Sequence, residues 1–312
     1  MNLGYACINM ELNARKGDDR ITTNRSMIKK TFNDKGVDYA SELILQNVID
    51  LNQIIDWNEQ NNIKFFRMSS DIFPWASEYY QDWDSVPHID LIKIWLENAG
   101  LKAEEYGQRI TSHPGPFNVL VSPNENVVQN TITDLTIHGQ IFDMMGLSRT
   151  PYNKLNIHCN GVYGDKQSAL DRFCKNFERL PESVQSRLTV ENDDKASMYS
   201  VKELYDGIYK RIGIPIVFDY HHHRFCDGGL SEQEALELAT STWGDIKPVV
   251  HYSESRSKEK LDESIKPQAH SDLIKQLPNT YGNDVDIMVE AKHKELAIKK
   301  FTKGVINELN RN

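Results

Sequence analysis

Eight short runs rich in Val, Ile, Leu and aromatic residues recur along the chain, separated by longer stretches in which apolar residues return at helical spacing. The runs fall near Leu3–Ile8, Lys64–Met68, Gln108–Ser112, Lys154–Ile157, Leu188–Val190, Pro215–Phe218, Pro248–Val250 and Asp286–Val289. Strands that alternate with helices lie parallel, because each helical crossover returns the chain to the same end of the sheet. Eight such strands are enough to close the sheet on itself. The predicted fold is therefore α/β, a single (β/α)8 TIM-barrel domain over residues 1–312, with an open doubly wound sheet as the alternative. The clearest helical pattern runs from about Asn124 to Met145, through Val127, Val128, Ile132, Leu135, Ile141 and Phe142, and another closes the chain from about Lys292 to Leu309.

A chain of 312 residues, 39% of them hydrophobic, fills one barrel core. No apolar stretch approaches the roughly 20 residues that cross a bilayer. The opening residues run straight into the first strand pattern, with no basic segment leading into an apolar run and a small-residue cleavage site. The expectation is a monomer in the cytoplasm, or beside the chromosome in a nucleoid or nucleus, and not secreted. Cys7, Cys159, Cys174 and Cys226 form no CxxC pair, so neither a thiolate zinc site nor a disulfide framework is indicated. The formal net charge of −9 argues against nucleic acid as a partner, since phosphate binding draws on Lys and Arg. Charge is an average, however. Residues 10–36 hold seven Lys and Arg against four Asp and Glu, and bound divalent cations would neutralise acidic groups elsewhere.

Strand after strand ends in a residue type that binds metals: His113, His158, Glu191, Asp219, His251 and Glu290. In a barrel those ends meet on one face, where residues far apart in sequence come within bonding reach of a common centre. His222 and His270 follow shortly after two of these strands, giving five histidines and three carboxylates. A single histidine at a strand end is more often solvated or hydrogen-bonded than a ligand; eight candidates on one rim are another matter. They exceed the four to six donors of one zinc or manganese ion, which implies two or three divalent ions, manganese first and zinc or magnesium next. Clusters of this kind suit phosphodiester hydrolysis, in which ions acidify water and stabilise the leaving oxygen. His88, His138 and His293 lie on or beside helices and keep the ordinary structural reading. Sequence does not fix which of His221, His222 and His223 points inward.

The strings themselves are distinctive in order and content. They are LGYACIN at 3–9, FRMSSDIFPWAS at 66–77, HPG at 113–115, NIHCNGVYGDK at 156–166 and LTVENDD at 188–194, then VFDYHHHRFC at 217–226, VVHYSES at 249–255, QAHSDLI at 268–274 and DIMVEAKHKE at 286–295. Over nearly its whole length the chain resembles the UV-damage endonuclease family, which is similar in fold and metal arrangement to endonuclease IV. The resemblance implies DNA repair: a nick immediately 5′ of cyclobutane dimers, 6-4 photoproducts and other lesions in double-stranded DNA.

By the matching strings His113, His158, Glu191, Asp219, His222, His251, His270 and Glu290 inherit metal-ligand roles, with Glu191 as the bridging carboxylate and Glu191 and Glu290 central to catalysis. Tyr5 and Asn9 match positions beside the damaged bases. Three departures stand out. Pro116-Phe117 replaces the Gln-Tyr probing pair, leaving Phe117 as the wedge. Val249 replaces a lysine two residues before His251, making Lys247 the nearest substitute. Gln268 replaces the aspartate of an Asp-x-His pattern, which puts a third metal in question. Arg15 and Lys16 after the first strand, and Arg256 after the seventh, are placed to track phosphates. Two rival readings are a metal-dependent sugar isomerase or epimerase on the same barrel and a lesion-binding protein without chemistry. Nicking of irradiated plasmid separates all three.

Overall fold

The computed structural model describes residues 1–309. Eight strands, β1 (Leu3–Ala6), β2 (Phe65–Met68), β3 (Arg109–Ser112), β4 (Leu155–Ile157), β5 (Leu188–Glu191), β6 (Ile216–Asp219), β7 (Val249–Tyr252) and β8 (Asp286–Val289), pair in parallel and in sequence order. β1 pairs with both β2 and β8, so the sheet closes into a barrel and the open-sheet alternative falls. All eight predicted runs are strands, with no end shifted by more than two residues.

The apolar residues divide between two cores. A large one fills the layer between the strands and the surrounding helices, and a small one, of Ala6, Phe65, Val217, Trp243, Val249 and Met288, fills the barrel itself. The division follows from strand alternation: successive side chains point to opposite faces, so residues of one parity face inward and the other parity packs outward. Gly4 makes room for this interior, since a Cβ there would stand 2.6 Å from the Phe65 ring.

Below the apolar layer, Arg109 reaches across to the Lys247 carbonyl at 2.8 Å and to Asp286 at 3.3 Å. Above it, at the carboxyl ends of the strands, the same parity carries Arg67, His113, His158, Glu191, Asp219, His251 and Glu290. The upper layer of this barrel is thus almost wholly polar.

Local signals set the helix ends. Asn124 caps the helix Glu125–Met144 by accepting from the Asn126 amide, and Asp165 caps Lys166–Phe177 in the same manner. The long helix Lys29–Gln60 is interrupted at Gly36, whose φ of 66° is a conformation that side chains disfavour. The closing helix spans Lys294–Leu309. Among the described residues no helix is long and apolar enough to cross a membrane, and all four cysteines are free.

Candidate metal centre

Glu191 ends β5 with its side chain 1% exposed, and four imidazoles converge on it. Its Oε2 lies 3.1 Å from Nδ1 of His251, 3.4 Å from Nε2 of His113 and 3.6 Å from Nε2 of His158, and its Oε1 lies 3.4 Å from Nδ1 of His222. Two groups have donor atoms all within 4.8 Å of one another: His113, His158 and Glu191, and Glu191, Asp219 and His251. Glu191 belongs to both. Glu290 joins the second group through His251 Nδ1 at 3.2 Å, and His270 stands at the edge, 4.0 Å from Glu290. The cluster therefore runs from a floor closed to solvent, at Glu191, Asp219 and His251, to an open rim at His270.

Of the three consecutive histidines, His222 is the one beside Glu191. Its Nδ1 donates to the Asn192 carbonyl at 2.9 Å, which leaves Nε2 free. His221 turns to the Gln268 carbonyl and His223 packs on Phe218, as a short helical turn (Tyr220–His223) requires of neighbours about 100° apart.

The residues fit divalent cations. Buried Asp219 Oδ2 has no hydrogen-bond partner, and His251 Nδ1, though close to two carboxylates, is out of line for a hydrogen bond to either. Such orphaned buried atoms are costly unless something else satisfies them. The electrostatics agree. Burial opposes ionisation of Glu191, yet His251 and His158 hold its carboxyl well below the usual carboxylate range. Burial opposes Glu290 too, and Arg67 and His251 hold it well below that range. Burial, with Glu191 and Glu290 nearby, pushes Asp219 up. For His222 burial works against the charged ring, but Asp219, Glu191 and Glu290 prevail and raise it to about 9. Burial takes His113 down to about 4. Three carboxylates crowded into one buried cluster make a cavity that favours cations.

Three polar residues that the sequence reading passed over support the cluster from within the barrel. Arg67 on β2 is ion-paired with Glu290. Asn156 on β4 donates to Glu191 while accepting from Thr189 at 2.8 Å. Lys154, fully buried immediately before the same strand, places Nζ 3.3 Å from His251 Nε2. Their sign in the sequence is parity: Lys154, Asn156 and His158 are two residues apart and share the inward face.

Two expectations need correction. Lys247 does not reach the cluster. It precedes β7 at the other end of the barrel, where Nζ pairs with Asp284 at 2.8 Å and Asp286 at 3.4 Å, and the interior position two residues before His251 is filled by apolar Val249. Tyr5 and Asn9 offer no surface to a base either. Tyr5 is out of phase with inward-facing Gly4 and Ala6, so its fully buried ring packs on Phe66 and its hydroxyl donates to Asn58 of the helix Lys29–Gln60 at 2.8 Å. Asn9, 1% exposed, donates to that hydroxyl and caps the turn Met10–Asn13.

Phe117, by contrast, stands 86% exposed four residues beyond His113. Arg15 and Lys16 are exposed on the loop after β1, and Arg256 opens the short helix Arg256–Lys260 after β7. Arg25, in the same basic segment as Arg15, is instead bound at 2.6 Å to buried Asp50.

Comparison with known proteins agrees with this arrangement. The family model described as UV-endonuclease UvdE matches residues 1–311. The UV-damage endonuclease of Schizosaccharomyces pombe is 36% identical over 306 residues, 95% of this chain, and the chain spans about half (49%) of that protein's length. The UV DNA damage endonuclease of Bacillus cereus is 33% identical over 289 residues, covering 89% of this chain and 86% of its own. The crystal structure of SacUVDE superposes with a TM-score of 0.82 at 32% identity, covering 100% of both chains. D-psicose 3-epimerase from Clostridium cellulolyticum, at 12% identity and a TM-score of 0.53 over 93% of this chain and 85% of its own, shares the barrel alone. The chain belongs to the UV-endonuclease UvdE family.

Proposed function

We propose that this protein is a metal-dependent DNA repair endonuclease that hydrolyses the phosphodiester immediately 5′ of ultraviolet photoproducts, cyclobutane dimers and 6-4 photoproducts among them, in double-stranded DNA. The observation that carries the reading is Glu191, one carboxylate shared between two sets of candidate ligands at the mouth of the barrel. Two divalent ions, manganese first among them, would be held by His113, His158, Glu191, Asp219, His222, His251 and Glu290. A third, at His270, lacks the carboxylate that Gln268 replaces. When bound, such ions supply Lewis acidity to the phosphoryl group and acidify the attacking water.

The chain's own residues do the rest. Arg67 holds Glu290 as a carboxylate, and Asn156 and Lys154 fix Glu191 and His251 from below. Their hydrogen bonds keep the ligands aimed before substrate arrives, which is where outer partners of a metal site exert their effect. Phe117 is free to enter the base stack at a damaged step, which has already lost stacking and pairing energy. Arg15, Lys16 and Arg256 would hold phosphates on either side. We read the chain as one domain that works as a monomer, in the cytoplasm or beside the chromosome.

The test is nicking of UV-irradiated supercoiled plasmid with Mn2+, Mg2+, Zn2+ or EDTA. Metal-dependent nicks confined to irradiated plasmid, and mapped 5′ of the photoproduct, are expected. Tight lesion binding without cleavage would favour a protein that recognises damage and does no chemistry.

A further inference from the structure

Leu261 is the most exposed of the large apolar side chains among the described residues, at 92%, and it stands in the loop after β7, where the short helix Arg256–Lys260 ends. Its backbone is left-handed, with φ 53° and ψ 42°. A helix end of that shape ordinarily carries glycine or asparagine, because a Cβ there crowds the following carbonyl. Leucine is costly twice in this place, in its backbone and in its contact with water, and at such exposure it gains no packing within the protein to offset either cost.

The loop braces the side chain outward. The Glu259 carboxylate accepts from the Asp272 and Leu273 amides at 2.8 and 3.0 Å, Lys260 pairs with Asp272 at 2.6 Å, and the Asp262 amide donates back to the Ser257 carbonyl at 3.0 Å. At the base of the loop the Arg256 amide donates to the Ala269 carbonyl at 2.7 Å, and Ser253 Oγ meets Nδ1 of His270 at 2.7 Å. The tip and a candidate ligand at the rim are thus parts of one braced segment. Two cations beside the tip are not fully engaged. Lys258 is exposed and forms no ion pair among the described residues, and Arg256 stands 3.8 Å from Asp272 with its Nε lacking a hydrogen-bond partner.

In a barrel of eight strands closed in sequence order, β7 lies four strands from β3. The roots of Leu261 and Phe117 therefore stand on opposite sides of the mouth, with the cluster between them. We infer that Leu261 is a second wedge, which enters the base stack of a lesion duplex on the side of the metal centre away from Phe117. Leucine opens a base step without reading it, and a duplex wedged at a step kinks. Two wedges set apart across the metal centre bend the duplex over the barrel mouth, while Lys258 and Arg256 hold the phosphates beside the second. A duplex already distorted by a lesion bends at less cost, so the bend itself favours damage. The inference rests on the reading of the protein as a lesion endonuclease.

The experiment compares the Mn2+-loaded protein with Leu261→Asn and Leu261→Met on a duplex that carries one thymine dimer and a dye at each end. A methylenephosphonate at the linkage 5′ of the dimer keeps the charge and prevents cleavage, so energy transfer reads the bend and a titration reads affinity. Asparagine suits the left-handed backbone, and Leu261→Asn should melt no lower than the parent. It is expected to bind the dimer duplex about tenfold or more weakly, as for an apolar side chain that loses its burial, and to leave the duplex ends farther apart. Leu261→Met, still apolar, should bind and bend like the parent. Parent-like affinity and bend in Leu261→Asn overturn the proposal, and are the result expected of a leucine that serves a protein partner; equal losses in both variants overturn it as well. An ordinary dimer duplex, with the cleavable linkage, tests the chemistry separately. A parent protein that binds and bends but does not nick it overturns the endonuclease reading and leaves the two variants to decide the wedge. A parent that neither binds nor nicks overturns both.

Discussion

Lys154 places its ammonium nitrogen 3.3 Å from Nε2 of His251, in a part of the barrel that solvent does not reach, while Nδ1 of the same ring faces Glu191 and Glu290. A ring engaged on both sides cannot rotate away from the cluster. Outer partners of this kind change metal affinity by about 10–100-fold. Lys154→Met keeps the volume and removes the amine. The expected result is at least about a tenfold loss of Mn2+ affinity by calorimetric titration, with the melting temperature held or raised, since an amine no longer has to be kept from water. Unchanged affinity would remove Lys154 from the support of the site.

Glu191→Gln tests the shared carboxylate. The amide is isosteric and can still meet Asn156, so the barrel should fold. It brings no negative charge to either set of ligands. Nicking of irradiated plasmid is expected to fall by more than about 100-fold, beyond the range for an outer partner. Glu290→Gln should fall similarly, because it also strands the Arg67 guanidinium, whose Nε already lacks a partner. Activity retained by Glu191→Gln would mean that the ions are held without the bridge.

The strands were legible because a closed parallel sheet is buried on both faces, so each strand is a compact apolar run set off from its helices. The upper layer was legible for a related reason: a histidine or carboxylate directly after such a run lies at the barrel mouth. Residues inside the runs were harder to read. Tyr5 differs from its inward neighbours by one position, and one position reverses the face. Lys247 has the inward parity but sits two layers lower, beneath Val249, where its length leads it to Asp284 instead. Arg67 and Lys154 were hidden by the habit of counting charged residues as surface; only their parity with the ligands marks them as interior.

The basic residues separate by what already binds them. Arg15 and Lys16 are exposed, whereas Arg25 is held by Asp50 and by the carbonyls of Thr22 and Arg20. Each phosphate contact contributes a slope of roughly −0.9 to the dependence of log affinity on log salt. Arg15→Ala and Lys16→Ala should each flatten the slope for a lesion duplex by about one, without change in stability. Arg25→Ala should leave the slope alone and lower the melting temperature, because it abandons buried Asp50. Equal slopes for all three variants would place the DNA elsewhere.

Phe117 has little to lose on truncation, being 86% exposed. Phe117→Ala should therefore melt like the parent. Stacking of an aromatic on a base contributes about 1–3 kcal/mol, so affinity for a lesion duplex should fall by roughly 5- to 150-fold while weak binding to undamaged duplex stays the same. Anisotropy measurements on both duplexes decide it: a parallel loss on both would make Phe117 a general contact and not a probe of damage.

The dependence of metal binding on pH follows from His222. In the metal-free protein its ring is raised to about 9 by Asp219, Glu191 and Glu290 against the cost of burial, so near neutral pH it carries a proton. Nδ1 keeps its hydrogen on the Asn192 carbonyl. A metal ion must therefore displace the proton from Nε2, and the ion and the proton compete for one lone pair. Raising the pH removes the competitor, so affinity rises, by up to about tenfold per pH unit below the folded-state value, and levels off above it. Glu191 and Glu290, held well below the usual range, are already ionised and add no slope near neutrality. Calorimetric titration with Mn2+ between pH 6.5 and 8.5, in buffers of different ionisation enthalpy, should find about one proton released per ion bound at this site. His222→Gln should bind more weakly and lose that slope. A flat profile in the unaltered protein would mean that the ions are bound without His222.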